Sequence, residues 1–141
     1  EGELCFMVKA GALHAVGFGL DLTKRELQSR LKEKSLPWER AKAFDGAALF
    51  SEFVSLPENL ASLSLELTVD GAPRQGGGVE LMMYPPEAIL DELAAFITLE
   101  DGDIIMTGTP AGVGGIHTGE RFEAQVLAAG RSLLSATWVA Q

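Results

Sequence analysis

A β-rich α+β fold, mixed and mostly antiparallel, is what this 141-residue sequence predicts, and three observations predict it. Strand-like segments outnumber helical ones, the two helical patterns are short and far apart, and glycine-containing connections separate the strands. Two helices so widely spaced cannot supply the crossovers of a βαβ succession.

The elements follow in order. Glu1-Gly2-Glu3 leads into the apolar run Leu4-Cys5-Phe6-Met7-Val8, which reads as a strand, and Val16-Gly17-Phe18-Gly19-Leu20 is a second apolar run that ends at Asp21. Thr23-Lys24-Arg25-Glu26 has the form of a capping box, so a helix is expected to start at Thr23, reach about Lys34 and stop before Pro37. Leu63 to Val69 and the segment after Pro73 flank Asp70-Gly71, a dipeptide suited to a tight hairpin turn. A second helix is predicted from Pro86 to Phe96, with Ile89, Leu90, Leu93 and Phe96 or Ile97 at helical spacing and Pro86 in the first turn. Ile104 to Met106, Arg121 to Leu127 and Leu133 to Val139 complete the strands.

Residues 1–141 make one domain, long enough to bury about two thirds of the unfolded surface. A hydrophobic content of 47% with 22% charged residues is that of an ordinary folded protein. The formal charge of −9 argues against a nucleic-acid partner, which needs a basic patch to displace counterions. No run approaches the roughly 18 apolar residues of a membrane span. Cys5 is the one cysteine; within its apolar run it reads as a packing residue, and a reducing compartment, the cytoplasm, is the expectation. The chain starts without Met and in mid-strand, so residues upstream of Glu1 are expected.

Two stretches carry chemistry. On a strand, Glu1 and Glu3 project to the same face. Two ionised carboxylates side by side favour a cation between them, and oxygen-only ligands select a hard ion such as Mg²⁺, Mn²⁺ or Ca²⁺. An isolated E-x-E is also what a solvated strand edge looks like. Thr107-Gly108-Thr109-Pro110-Ala111-Gly112-Val113-Gly114 is rich enough in glycine for backbone N–H groups to approach an anion, and equally suits a plain loop.

Read together with Gly19-Leu20-Asp21-Leu22-Thr23-Lys24-Arg25-Glu26-Leu27-Gln28, Leu36-Pro37-Trp38, Ala41-Lys42-Ala43-Phe44-Asp45, Arg74-Gln75 and Gly102-Asp103, these stretches make the sequence resemble the fumarylacetoacetate hydrolase family over nearly its whole length. Within that family it is most similar to the small branch of acylpyruvate hydrolases and oxaloacetate decarboxylases. The resemblance implies a rolled mixed β-sheet, a homodimer, and a Mg²⁺ or Mn²⁺ site formed by Glu1, Glu3 and Asp21. It places the family's lysine on Lys42 and its helical glutamine on Gln28, as catalytic and substrate-binding residues, and its second T-G-T-P threonine on Thr109, as a substrate-binding residue. The family's catalytic His and Glu pair is expected upstream of Glu1.

Three features depart from the family pattern. Asp21 stands only eighteen positions beyond Glu3, so a loop is expected to be shortened or missing between them. Ala47-Ala48-Leu49 replaces a common Cys-Pro, and Val79 replaces a common Thr.

The function this implies is metal-dependent cleavage of a carbon–carbon bond in an acylpyruvate through an enolate of pyruvate. The alternatives are an oxaloacetate decarboxylase, an isomerase or hydratase of 2-keto acids from aromatic degradation, and a non-catalytic metal-binding dimer module. Lys42 would anchor the substrate's carboxylate or enolate. His14 and His117 match no catalytic position and read as structural, and Trp38 and Trp138 as packing residues.

Overall fold

A computed structural model describes residues 1–141. The chain runs β1 (Gly2–Lys9), β2 (Ala12–Asp21), α1 (Arg25–Glu33), β3 (Ala48–Phe50), β4 (Val54–Ser55), β5 (Leu63–Val69), β6 (Ala72–Gly78), α2 (Pro86–Ala94), β7 (Ile104–Met106), β8 (Arg121–Ala128) and β9 (Arg131–Val139). One sheet has the order β3-β2-β1-β7 with β4 also paired to β2, and the other has the order β6-β5-β8-β9. Every strand pairing is antiparallel.

Three hairpins set these registers. At Ala10-Gly11, Asp70-Gly71 and Ala129-Gly130 both turn residues have positive φ, the backbone of a type I′ turn, whose twist matches that of the flanking strands. The first of them joins β1 directly to β2, so the short spacing from Glu3 to Asp21 is a tight hairpin and no loop is missing.

Alternation along the strands separates a core face from a functional face. Leu4, Phe6, Val16, Phe18 and Leu20 point from β1 and β2 onto Leu63, Leu65, Leu67, Val69, Phe122 and Val126 of the second sheet. Glu3 and Cys5 lie on the opposite face of β1. That face is covered at close range: a Cβ on Gly19 would stand 3.1 Å from Met106 and 3.3 Å from Phe50, and one on Gly17 would stand 3.0 Å from Phe53. Trp138 stacks on Phe18 with ring centroids 6.0 Å apart, as a packing residue should. Trp38 instead is exposed, with the Lys32 ammonium over its ring.

The first helix corrects the capping-box expectation. It begins at Arg25 with Lys24 as N-cap and no side-chain cap, because the Thr23 hydroxyl is engaged elsewhere, by Lys42. The second starts at Pro86 as expected and ends at Ala94. Its apolar stripe is only half-buried, and Phe96 beyond it is 75% exposed. No helix is long and apolar enough to cross a membrane.

Candidate metal centre

Register brings three carboxylates together. Glu1 extends the β1–β2 ladder, its carbonyl accepting the Asp21 N–H at 2.8 Å, so Glu1 and Asp21 are cross-strand neighbours and Glu3 is two residues further along the same face. Carboxylate oxygens of Glu1, Glu3 and Asp21 all lie within 4.8 Å of one another. Both sequence-predicted pairings, Glu1 with Glu3 and both with Asp21, are thus brought to one place.

The segment after β2 folds back to supply cations. Lys24 N–H donates to the Ala41 carbonyl at 3.0 Å and Leu22 N–H to the Ala47 carbonyl at 2.7 Å, which seats a short 3-10 turn at Glu39–Ala41 beside the end of β2. Lys42 follows directly and places its ammonium 2.5 Å from Asp21 Oδ2, 3.1 Å from Glu1 Oε2 and 2.7 Å from Thr23 Oγ1. From the start of α1, Arg25 reaches Glu1 Oε1 at 2.5 Å and donates to Gln28 Oε1 at 3.1 Å. Gln28 itself is buried.

Glu3 differs from its neighbours in having no cationic side chain against it. It is 4% exposed, and the Gly108 N–H donates to its Oε2 at 2.7 Å. Burial raises the pKa of its carboxyl above the ordinary range, the Gly108 hydrogen bond opposes this, and the charges of Asp21 and Glu1 push it up further. Burial also raises Glu1, but Arg25 and Lys42 outweigh it and hold the carboxyl below the usual value. Lys42 is destabilised as a cation by burial, yet its hydrogen bonds to Asp21 and Glu1 prevail and raise its pKa.

Three converging carboxylates, one of them buried without a cationic partner, fit a hard divalent ion: all donors are oxygen, and such an ion relieves the mutual repulsion that protein cations relieve only on one side. The donor set therefore suits Mg²⁺ or Mn²⁺, with Glu1, Glu3 and Asp21 as the residues that would hold it.

The glycine-rich segment closes the far side. Thr107 donates its hydroxyl to the Leu4 carbonyl at 2.8 Å, and Thr109 donates to the Gly2 carbonyl at 2.8 Å. Gln75 of β6 accepts the Gly2 N–H at 2.8 Å and donates to Thr109 Oγ1 at 2.7 Å and to the Pro110 carbonyl at 2.9 Å. Of the sequence-predicted residues, Lys42 thus lies at the carboxylates, Gln28 stands behind Arg25, which bridges it to Glu1, and Thr109 is a strut that ties the loop to β1. Arg25, Thr23, Gln75 and Gly108 were not among the site residues expected from the sequence: Thr23 was read as a helix cap, Gln75 as part of a family motif and Gly108 as part of a glycine-rich stretch suited to an anion, where its N–H indeed meets the Glu3 carboxylate. For Arg25 the signal was its position one helical turn before Gln28.

His14 is exposed near the opposite end of β2, seven residues or about 23 Å of strand from Asp21. His117 is exposed in the loop before β8, where its N–H donates to Glu120. Cys5 is buried, and burial raises its thiol pKa far beyond reactive values.

Two antiparallel sheets carry an all-oxygen acidic cluster, a candidate metal site, at the end of a hairpin. Residues 10–136 match the family described as fumarylacetoacetate hydrolase, C-terminal, and the chain belongs to that family. Asp21 and Lys42 fall inside the matched stretch, Glu1 and Glu3 just ahead of it.

A mitochondrial oxaloacetate tautomerase of Saccharomyces cerevisiae is 41% identical over 123 residues, 82% of this chain and 48% of that protein. The chain thus spans about half the length of the curated relatives it matches. A yeast fumarylacetoacetate hydrolase family protein of known structure superposes with a TM-score of 0.90 at 33% identity, over 100% of this chain and 66% of its own. A fumarylpyruvate hydrolase from Pseudomonas aeruginosa, solved with Mn²⁺ and pyruvate, gives a TM-score of 0.85 at 29% identity, over 100% of this chain and 65% of its own.

Proposed function

We propose that the complete protein is a Mg²⁺- or Mn²⁺-dependent enzyme that enolises small 2-keto acids, with oxaloacetate as its favoured substrate and keto–enol tautomerisation as the reaction. The observation that carries this reading is the cluster of Glu1, Glu3 and Asp21 with Lys42 set against two of them. Held by those carboxylates, Mg²⁺ or Mn²⁺ would supply a fixed positive charge that stabilises the negative charge developing on the substrate's oxygen.

The chain's own residues do the rest. The Lys42 ammonium neutralises Glu1 and Asp21; with a divalent ion on those carboxylates it would be free to pair with the substrate carboxylate. Arg25, about half exposed, is available on the same side. Gln28 offers an amide held in place by Arg25. Thr109 has its hydroxyl proton on Gly2 and accepts from Gln75, so it serves by holding the loop.

The yeast tautomerase supports oxaloacetate as substrate. The fumarylpyruvate hydrolase with Mn²⁺ and pyruvate supports a second reading, hydrolysis of an acylpyruvate, which draws on the same enolate. We also propose a homodimer, and the exposed apolar side chains that it could cover include Met83, 91% exposed, and Phe96, 75% exposed. The cytoplasm remains the proposed compartment, with the mitochondrion, named for the yeast relative, as the alternative.

The test is a comparison of kcat/KM for oxaloacetate tautomerisation, oxaloacetate decarboxylation and acylpyruvate hydrolysis by the full-length protein with Mg²⁺. Tautomerisation is expected to dominate. Action on none of the three would remove the reading and leave the metal-binding dimer module in its place.

A further inference from the structure

Another buried polar side chain lies behind the three carboxylates. Gln75 is 7% exposed and faces the core side of the second sheet, in a strand that continues as Gly76-Gly77-Gly78. A β-bulge puts it there. In the β5–β6 ladder Thr68 stands opposite Pro73 and Leu67 opposite Gln75, which leaves Arg74 as an extra residue. Since side chains alternate across a sheet, a ladder without the bulge would set Arg74 opposite Leu67 and send Gln75 to the other face. The bulge therefore exchanges an inward arginine for an inward glutamine.

The glutamine amide is used at every polar position that counts. Its oxygen accepts from Gly2 N–H, and its nitrogen donates one proton to Thr109 Oγ1 and the other to the Pro110 carbonyl. Thr109 passes its own proton to the Gly2 carbonyl. Both backbone groups on the free edge of Gly2, the residue between Glu1 and Glu3, are thus fixed by one closed ring of hydrogen bonds. β7 cannot do this work, because its pairing with β1 covers only Cys5 to Met7. Only an amide side chain offers one acceptor and two donors without a charge, and asparagine is one methylene shorter.

We infer that Gln75 is a positioning residue of the metal centre: it locks the Glu1–Glu3 strand end to the glycine-rich loop, so that the spacing of the three carboxylates is set from the second sheet. The inference rests on the metal reading of Glu1, Glu3 and Asp21 proposed above, and it adds a determinant that touches neither ion nor substrate.

The experiment measures Mn²⁺ affinity by electron paramagnetic resonance in the full-length protein for wild type, Gln75→Met, Thr109→Val, Thr109→Ser and the double variant Gln75→Met/Thr109→Val. Val126→Ala serves as control, since it opens a cavity in the same sheet without touching the ring. Gln75→Met is expected to weaken Mn²⁺ binding at least tenfold. Thr109→Val should weaken it at least threefold and Thr109→Ser should retain it. The double variant should be little worse than Gln75→Met, because both changes break one ring.

Wild-type affinity in Gln75→Met, or an equal loss in Val126→Ala, overturns the inference while leaving the metal reading intact. If Gln75→Met does not fold, Thr109→Val decides on the same terms, with wild-type affinity overturning the inference. No Mn²⁺ binding by the wild type would remove the metal reading, and this inference with it.

Discussion

Glu3 is the residue on which the electrostatics of the site turn. It is buried with a backbone N–H for partner, while the cations go to Glu1 and Asp21. Glu3→Gln keeps an oxygen for Gly108 and removes the charge. Mn²⁺ affinity should fall more than tenfold, about 1.4 kcal/mol, read by titration calorimetry. The raised Glu3 pKa also sets a pH dependence. A proton competes with the ion for this carboxylate, so Mn²⁺ affinity should begin to fall on acidification at a pH above that expected of a carboxyl with the ordinary value of 4.5. Lys42→Met should lower kcat/KM more than tenfold, since one desolvated charge contact is lost. Unchanged kcat/KM would limit Lys42 to neutralising Glu1 and Asp21. Gly2 is constrained sterically: an added Cβ would stand 2.7 Å from the ring of the fully buried Phe18. Gly2→Ala should therefore cost about 1–3 kcal/mol in urea unfolding, the usual penalty of overpacking.

At the scale of elements, the hairpins carry local strain in a readable place. Ala10 and Ala129 hold φ near 51° and 49°, a region that costs a non-glycine residue about 1–2 kcal/mol. Asn tolerates that region and avoids glycine's entropy cost, so Ala129→Asn should raise the thermal midpoint without affecting activity; a lowered midpoint would count against the type I′ assignment. These two turns were illegible because Ala-Gly is a weak turn signal, whereas Asp70-Gly71 announced itself and the strands around it fell where the periodicity put them. The first helix failed differently. Thr23 has the right residue type and spacing for a cap, but Lys42 takes its hydroxyl from nineteen residues away, a tertiary demand that no local pattern contains. The bulge at Arg74 was hidden for the same reason, since only pairing with β5 defines it.

For the whole molecule, the acidic triad and the family were legible, because strand alternation and a few ordered motifs suffice for both. The support behind the triad was not: Gln75 and Gly108 come from 73 and 105 residues away in the chain from their partners on β1. Assembly can be tested separately. Met83→Asp should turn the proposed homodimer into monomers in sedimentation velocity, because it puts a charge on the most exposed of the large apolar side chains. The most direct test of the central claim is a calorimetric titration of the full-length protein with Mn²⁺, run beside Asp21→Ala. One ion per chain in the wild type, with binding abolished in the variant, is the predicted result. Equal binding by wild type and Asp21→Ala, or no binding by the wild type, would contradict the assignment of Glu1, Glu3 and Asp21 as the metal centre.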